Sequence, residues 1–537
     1  MQKIEEKEKI EVKTRRRRIY KWTILSVFGG LMIVGVIIGL LICITSPFEL
    51  RGVSFNVESG FYDESIDLEI ETDGGFWSQP SIVKYNLNGD DLENTGELFN
   101  ESIKLEVPEE GYKLYTVTAK ACKENGECTD SEVATYVLGK NLVEDITIDI
   151  VSINSSQKNL YDYDTGIMVG GRTYDENSAN GGMGFIGGNY SNRGKKWMRK
   201  AYIVRFNDNG QKIWDQDAYL GISGGTSAAY GVKSLKIVMA SKGEDGNNEE
   251  TFRLRSGSQD QFSANIRSSV VDRLAEQCGF DGRTGTDRIV VFLNGEYYGL
   301  FDMQTTFSEH NLLQKFELGD EKKIKKFRGS EKSVFEAFGL DESYWENLDS
   351  SENRERLEKE IDIDDYLMYY AIFILTNNTD WPMNNFEAWK YKDVDNAQHN
   401  KYEDGRIRFL IRDTDLVYYT EGNIGWFEGA IGDIFVFLME EKYNGARSSF
   451  KKVMESEDYR ERFIDLLREY LDGPFATENI LRIIDEEAAK IEHQVKLFSS
   501  KEEYNEWTKQ IELMRKAVSK REGEIKVDVQ KYFGVKL

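Results

Sequence analysis

From Asp364 to Leu375 apolar residues recur at the spacing of one helix face, behind an acidic first turn. A polar loop follows, Thr376-Asn377-Asn378-Thr379-Asp380-Trp381-Pro382-Met383-Asn384-Asn385. Arg408 to Ile411 then reads as a short buried strand that delivers Asp413 and Asp415 at its end. Upstream, polar and apolar positions alternate in short runs over Ser65–Glu71, Ser102–Val107, Tyr115–Ala121 and Glu132–Val137, with turn residues between them. That pattern predicts a small all-β unit over residues 53–138, a β-sandwich. Ala201–Phe206 predicts a strand entering a second domain, Asp260–Gln277 a helix, and Arg288–Phe292 a strand turning at Asn294-Gly295 into Tyr297–Phe301, a hairpin. Beyond Tyr419 the spacing is helical. Amphipathic segments run from Phe450 to Val518, Asp485–Lys490 reads as a solvated charged face, and Lys520–Phe533 closes the domain.

Near the start, Trp22 to Thr45 carries no charge, and as a helix it would reach roughly 36 Å, enough for a hydrocarbon core of about 30 Å. Arg15-Arg16-Arg17-Arg18 precedes it and acidic chain follows. The expectation is a single-pass plasma-membrane protein: a cytoplasmic basic tail over 1–21, a transmembrane helix over 22–46, and an extracellular remainder. A length of 537 residues with 5 Pro implies more than one packed domain and few Pro-rich linkers. The first 46 residues carry a net +5 against −25 for the whole chain, which leaves −30 beyond them. Such a surface disfavours nucleic-acid backbones and suits basic protein partners and divalent cations. Cys122 and Cys128 bracket a hairpin-tip sequence, and outside the cell this pair is expected to be a disulfide. Cys278 reads as a small core residue.

The chemistry gathers in the loop and strand end named first. Asp380 and Asn385 stand as Asp-x-x-x-x-Asn, the spacing of a protein-kinase catalytic loop, with Asp413 and Asp415 at a later strand end. Hard oxygen ligands of this kind suit a Mg²⁺ shared with phosphates. Spacing alone fits equally a capping Asp380 and a solvated strand end. Between Gly221 and Ile237, glycines and hydroxyls allow close approach to phosphate, and Lys233 follows on a strand. Taken alone, that stretch is also an ordinary hairpin with Lys233 and Lys236 on its wet face.

Several motifs occur in one order: Arg193-Gly194 with Trp197, the Gly/Ser stretch ending in Lys233-Ser234, Leu254-Arg255, Asn294-Gly295-Glu296-Tyr297-Tyr298-Gly299, Asp380 with Asn385, and Asp413-x-Asp415. Over residues 145–537 the chain thereby resembles the spore coat protein H (CotH) kinase-like family. The resemblance implies an α+β, atypical kinase-like domain with a helical C-terminal part, using ATP and Mg²⁺ or Mn²⁺. It would transfer phosphate to Ser/Thr of surface or secreted proteins, and the acidic surface points to basic, Ser-rich ones. By position, Lys233 with Ser223, Gly224 and Gly225 would meet the ATP phosphates, and Asp380 would be the catalytic carboxylate. Asp413 would hold the metal, assisted by Asn385 and Asp415. Ala228-Ala229 stand where the family usually has an Arg, Gln304-Thr305 where many members place a Glu, and Tyr418-Tyr419 where aromatic-Gly is common. The lost Glu argues for a slow enzyme. It also favours the alternative of a catalytically inactive, pseudokinase-like surface module that binds a cell-wall polymer or a partner protein. Residues 53–138 resemble the chitobiase/β-hexosaminidase C-terminal-like sandwich in Ser59-Gly60-Phe61-Tyr62, Ile66-Asp67-Leu68, Tyr85-Asn86-Leu87-Asn88-Gly89 and Ala134-Thr135-Tyr136-Val137, which implies a spacer.

Overall fold

The computed structural model describes residues 52–537 except 73–81, 88–91, 93–95, 124–125, 181–186, 241–250, 393–399, 420–432 and 441–448. The N-terminal unit is all β. Gly60–Tyr62, Glu132–Gly139, Tyr112–Cys122, Ile82–Asn86 and Glu97–Leu98 lie side by side in one sheet, next to two two-stranded sheets. Leu68, Leu105, Val117, Ala119 and Tyr136 close its core. The run Ser65–Glu71 is split. Ile66–Leu68 pairs with Ile103–Leu105, while Ile70–Thr72 pairs with Val53–Phe55. Asn56 fixes the break by accepting the Glu69 amide on its side chain at 2.8 Å. Cys122 and Cys128 are joined as a disulfide.

The main domain opens with a feature that alternation alone did not announce, a closed seven-stranded barrel. Its strands are β1 (Asp149–Asn154), β2 (Arg199–Phe206), β3 (Lys212–Ile222), β4 (Leu235–Met239), β5 (Thr251–Arg255), β6 (Asp287–Leu293) and β7 (Glu296–Thr305). Around the barrel they run β1-β2-β3-β4-β5-β7-β6, and the parallel pairing of β1 with β6 closes the ring. Inward residues such as Val151, Ile203, Leu220, Ile237, Leu254, Ile289 and Phe301 fill it. Closure removes the exposed sheet edges that would otherwise invite aggregation. Asn294 and Gly295, both at positive φ, form the predicted turn between β6 and β7.

Between β5 and β6 the predicted helix is shorter than its pattern. A 3₁₀ turn covers Ser258–Phe262, and the α-helix α1 runs only from Arg267 to Gln277. Asp260 causes the restart, because its carboxylate accepts the Arg267 amide at 2.9 Å and also pairs with the Arg267 guanidinium.

A small antiparallel sheet follows, with strands β8 (Ile324–Gly329), β9 (Phe386–Tyr391) and β10 (Arg408–Leu410). Helix α2, Ile363–Thr376, packs against it. Asp362 caps α2, and Asn377 ends it in the left-handed region at φ 51°. The C-terminal part is helical as expected, ending in α3 (Thr477–Phe498) and α4 (Lys501–Phe533). The charged run 485–490 is not wholly solvated. Glu487 is buried, and Arg273 of α1 bonds it at 3.0 Å. One continuous core joins the outer barrel face, α1, α2 and the C-terminal helices through Ile150, Val270, Phe373, Phe409 and Phe463.

The membrane expectation is corrected. Among the described residues no helix is long and apolar enough to cross a membrane, so the single-pass architecture and plasma-membrane location are not supported. The segment that carried this expectation, 22–46, lies outside the described residues.

Candidate active site

Two loops meet at the edge of the barrel, and packed aromatic rings hold the first. Trp381 follows Asp380 and is fully buried; its indole stacks on Phe373 at 4.6 Å and donates to the Tyr369 hydroxyl at 3.0 Å. Both partners lie on α2, so the apolar helix face predicted from sequence is what fixes the loop. Asn378 links the loops. Its side chain accepts the Asp380 amide at 3.2 Å and donates to the Asp413 carbonyl at 3.2 Å.

Asp380 and Asn385 meet directly, the Asn385 amide donating to the Asp380 carboxylate at 2.8 Å. Arg328 of β8 donates to the Asn385 side-chain oxygen at 2.6 Å and lies 3.9 Å from Asp413. Arg255, at the end of β5, reaches both acids of the second loop, Asp413 at 2.6 Å and Asp415 at 3.1 Å. Asp415 also accepts the Gln259 amide at 3.0 Å. Asn385 and Asp413 both sit at positive φ, 59° and 56°. A non-glycine residue is uncommon there and persists only where its surroundings over-determine it. Asp380, Asn385, Asp413 and Asp415 therefore form one connected cluster.

The two acids of the second loop titrate differently. Burial alone would raise Asp413, but Arg255 and Arg253 outweigh it and hold the group below the ordinary carboxylate range. Burial, then the charge of Asp413, pushes Asp415 up to about 7. Burial also raises Asp380, with Asp413 adding to the shift. A pair of converging carboxylates with unequal proton affinity is a common arrangement at reacting sites.

The cluster borders a cleft of about 320 Å³ whose lining includes Ser223, Lys236, Arg253, Gln304, Arg412 and Asp413. The barrel supplies the roof. Gly221, Lys236, Arg253 and Gln304 are register partners across β3, β4, β5 and β7, so the side chains of Lys236, Arg253 and Gln304 share one face, with Gly221 beside them. Arg253 donates to the Gln304 side-chain oxygen at 2.8 Å. Burial, then the neighbouring Arg412 and Arg255, disfavours charge on Arg253. Among the described residues the Nε groups of Arg255 and Arg412 are buried without an acceptor. Crowded guanidinium groups with unmet donors call for an anion, and a triphosphate answers them with oxygens and charge.

Lys233 does not join this lining. Its ammonium donates to the Tyr230 carbonyl at 2.5 Å and lies 4.5 Å from the centre of the Tyr190 ring. Burial pushes it down to about 8. Of the Gly/Ser stretch, Ser223 lines the cleft, while the Gly224 carbonyl accepts from Arg193 at 2.5 Å and Gly225 leads into the 3₁₀ turn Thr226–Ala229. Sequence reasoning thus missed Lys236, Arg253, Arg328, Asn378 and Arg412. For Lys236 and Arg253 the strand alternation carried the signal, since each is polar amid apolar neighbours. Nothing local marked Arg328 or Arg412.

Among the described residues no three Asp, Glu, His or Cys side chains gather closely enough to hold a metal alone. The donor set still fits a Mg²⁺ that arrives with a nucleotide, because such an ion needs only one or two carboxylates and takes its other ligands from phosphate and water. Arg255, spanning Asp413 and Asp415, shows that the two oxygens converge on positive charge.

The CotH kinase protein family matches residues 220–525, more than half of the chain. That span holds every cleft residue named here but leaves out β1, β2, Arg193 and the N-terminal β unit, whose likeness to the chitobiase-type sandwich rests on sequence alone. No curated protein shows a significant match to the chain.

Proposed function

The chain belongs to the CotH kinase protein family, and on that premise we propose that it is an atypical protein kinase that moves the γ-phosphate of ATP to a Ser or Thr hydroxyl. One observation carries this reading: a cleft lined by Lys236, Arg253, Arg412 and Asp413 borders the cluster in which Asp413 is linked through Arg328 and Asn385 to the Asp380 carboxylate. Lys236 and Arg253 bind the phosphates, and Ser223 offers a hydroxyl beside them. Asp413, with Asp415 and Asn385, would hold a Mg²⁺ or Mn²⁺, which supplies charge neutralisation across the phosphates. Asp380 accepts the proton of the attacking hydroxyl, and Asn385 orients that carboxylate through the 2.8 Å bond. Phosphoryl transfer asks for positioning and charge stabilisation more than for covalent work, and this cluster supplies both.

The acceptor is a basic, Ser-rich protein segment. Supporting this is a groove lined by Glu331, Glu336, Asp341, Glu342, Glu346 and Trp345, with lysines 332 and 452 also on its wall. It lies directly behind the catalytic loop, where the Glu331 amide donates to the Pro382 carbonyl at 3.0 Å.

A second reading, a module that binds nucleotide without transferring phosphate, is favoured by Gln304. It bonds Arg253 as a neutral amide where a kinase pairs its phosphate-binding cation with a carboxylate. Wild type and Asp380→Asn are compared in ATP–Mg²⁺ binding and in transfer of labelled phosphate to a basic, Ser-rich peptide. The kinase reading expects binding in both and transfer in the wild type alone. Binding without transfer in the wild type leaves the module; equal transfer in both removes Asp380 from the chemistry.

A further inference from the structure

The loop that brings Ser223 to the cleft has an unusual shape. Gly224 sits at φ 100°, and a Cβ there would come within 2.7 Å of the Ser227 hydroxyl. The turn Thr226–Ala229 then carries the chain to Tyr230 and on to β4. Glycine reaches that conformation without strain but leaves the chain with more freedom than any other residue, so the loop's shape depends on contacts outside it.

Two cations do so, one at each end. Arg193 donates through Nη1 to the carbonyls of Tyr190 at 2.7 Å and Asn192 at 2.9 Å, and through Nη2 to the Gly224 carbonyl at 2.5 Å. No carboxylate pairs with it among the described residues, so its charge is spent on carbonyl dipoles. At the far end the Lys233 ammonium donates to the Tyr230 carbonyl at 2.5 Å and rests over the Tyr190 ring at 4.5 Å. Tyr190 is buried in the 3₁₀ turn Asn189–Ser191. A single anchored turn therefore meets both cations, one on its carbonyl and one on its ring. A guanidinium forks to three acceptors in fixed directions, which an ammonium cannot copy.

Resting on the kinase reading of the cleft, we propose that Arg193 and Lys233 are positioning residues that clamp the loop from Ser223 to Lys233 in its nucleotide-binding shape, without touching the nucleotide. Both charges then stand behind the loop. Ser223 and the neighbouring Lys236 are presented to the phosphates in advance, and binding need not spend energy on ordering the loop. Arg193 lies outside the span that matches the family.

The test uses the full chain with Arg193→Lys, Arg193→Ala and Lys233→Met. Amide hydrogen exchange over residues 221–231 is measured without nucleotide, followed by ATP–Mg²⁺ affinity and, separately, kcat and KM for ATP. In Arg193→Ala the loop amides should lose protection while α2 keeps its own. ATP affinity should fall about tenfold, with kcat at saturating ATP within about threefold of wild type. Arg193→Lys should behave nearly as badly as the alanine variant, and millimolar guanidinium should restore affinity to Arg193→Ala but not to Asp413→Asn. Wild-type protection of the loop in Arg193→Ala overturns the clamp, as does a loss confined to kcat. A wild-type protein that binds no ATP defeats the kinase reading instead; the exchange data still decide whether Arg193 and Lys233 hold the loop.

Discussion

The two walls of the cleft are built in opposite ways. The barrel wall is a regular rung, in which Gly221, Lys236, Arg253 and Gln304 sit in register and strand pairing alone sets their spacing. The facing side is two irregular loops, where Asp413 lines the cleft and Asp380 and Asn385 join it through Arg328, all held by individual side-chain bonds and by residues at positive φ. The first wall gathers positive charge, and the second sets carboxylates beside Arg412 and Arg328. Binding charge tolerates a ladder, because phosphate oxygens accept from many directions. Proton transfer needs one geometry, and the loops are fixed residue by residue to provide it. Substitutions on the barrel wall should therefore change affinity in steps, and those on the loop wall should abolish chemistry.

The largest effect belongs to Asp413. Asp413→Asn should bring phosphate transfer below detection and weaken Mg²⁺-dependent ATP binding by ~10²-fold or more, since the ion loses its charged ligand. Calorimetry with and without Mg²⁺ checks this, and undiminished metal dependence would move the metal elsewhere. Asp380→Asn comes next. Its transfer rate should drop by ~10²–10⁴-fold with ATP affinity within about threefold, as expected for a positioned base that does not touch the nucleotide phosphates. Matched losses of rate and affinity would show that Asp380 serves binding.

The contrast between the walls also explains what the sequence disclosed. Helix α2 was legible to within a residue, because its apolar spacing, acidic first turn and Asn-rich end all agree. The loop acids could be picked out through their spacing, since Asp-x-x-x-x-Asn lies within one short segment. Barrel closure was not legible, because the pairing of β1 with β6 joins residues about 140 positions apart and leaves no local mark. Lys233 was chosen over Lys236 by motif position. Alternation along β4 distinguishes them once register is known, with Lys236 opposite Arg253 and Lys233 lying before the strand begins. Arg328 comes from a segment far from the loop acids, and only folding brings them together, whereas Arg412 adjoins Asp413 in the chain and shows its place in the cleft only once Arg253 is seen beside it.

On the barrel wall the effects should be graded. Arg253→Met should weaken ATP binding by ~10–100-fold, the cost of losing one charged hydrogen-bond partner of phosphate, while kcat at saturation changes little. Gln304→Glu gives Arg253 a carboxylate partner and so competes with the phosphates for it. Affinity should fall by about threefold, and the loss should shrink with added salt. A gain in affinity from Gln304→Glu would mean that Arg253 needs a carboxylate to orient it, as the cation does in ordinary kinases, and that the cleft of this chain is impaired by its amide.

The smallest effect on activity comes from a carboxylate behind the loop wall. Asp365, in the first turn of α2, accepts the Phe409 amide at 2.7 Å. Burial raises it to about 7; the Phe409 bond and Arg408 pull it down, while Asp362 and Asp281 add to the rise. In the unfolded chain the same group ionises near its ordinary value of about 3.9. Between these two values the folded state holds a proton that the unfolded state has released, so stability falls as pH rises from about 4 to about 7. Above that window both states are ionised and the penalty is constant. Asp365→Asn keeps an oxygen for the Phe409 amide but cannot ionise. Its melting temperature should match the wild type near pH 4 and exceed it at pH 8, with kcat and KM for ATP unchanged at both. Parallel melting curves across that range would show that Asp365 is paired well enough to stay ionised in the fold.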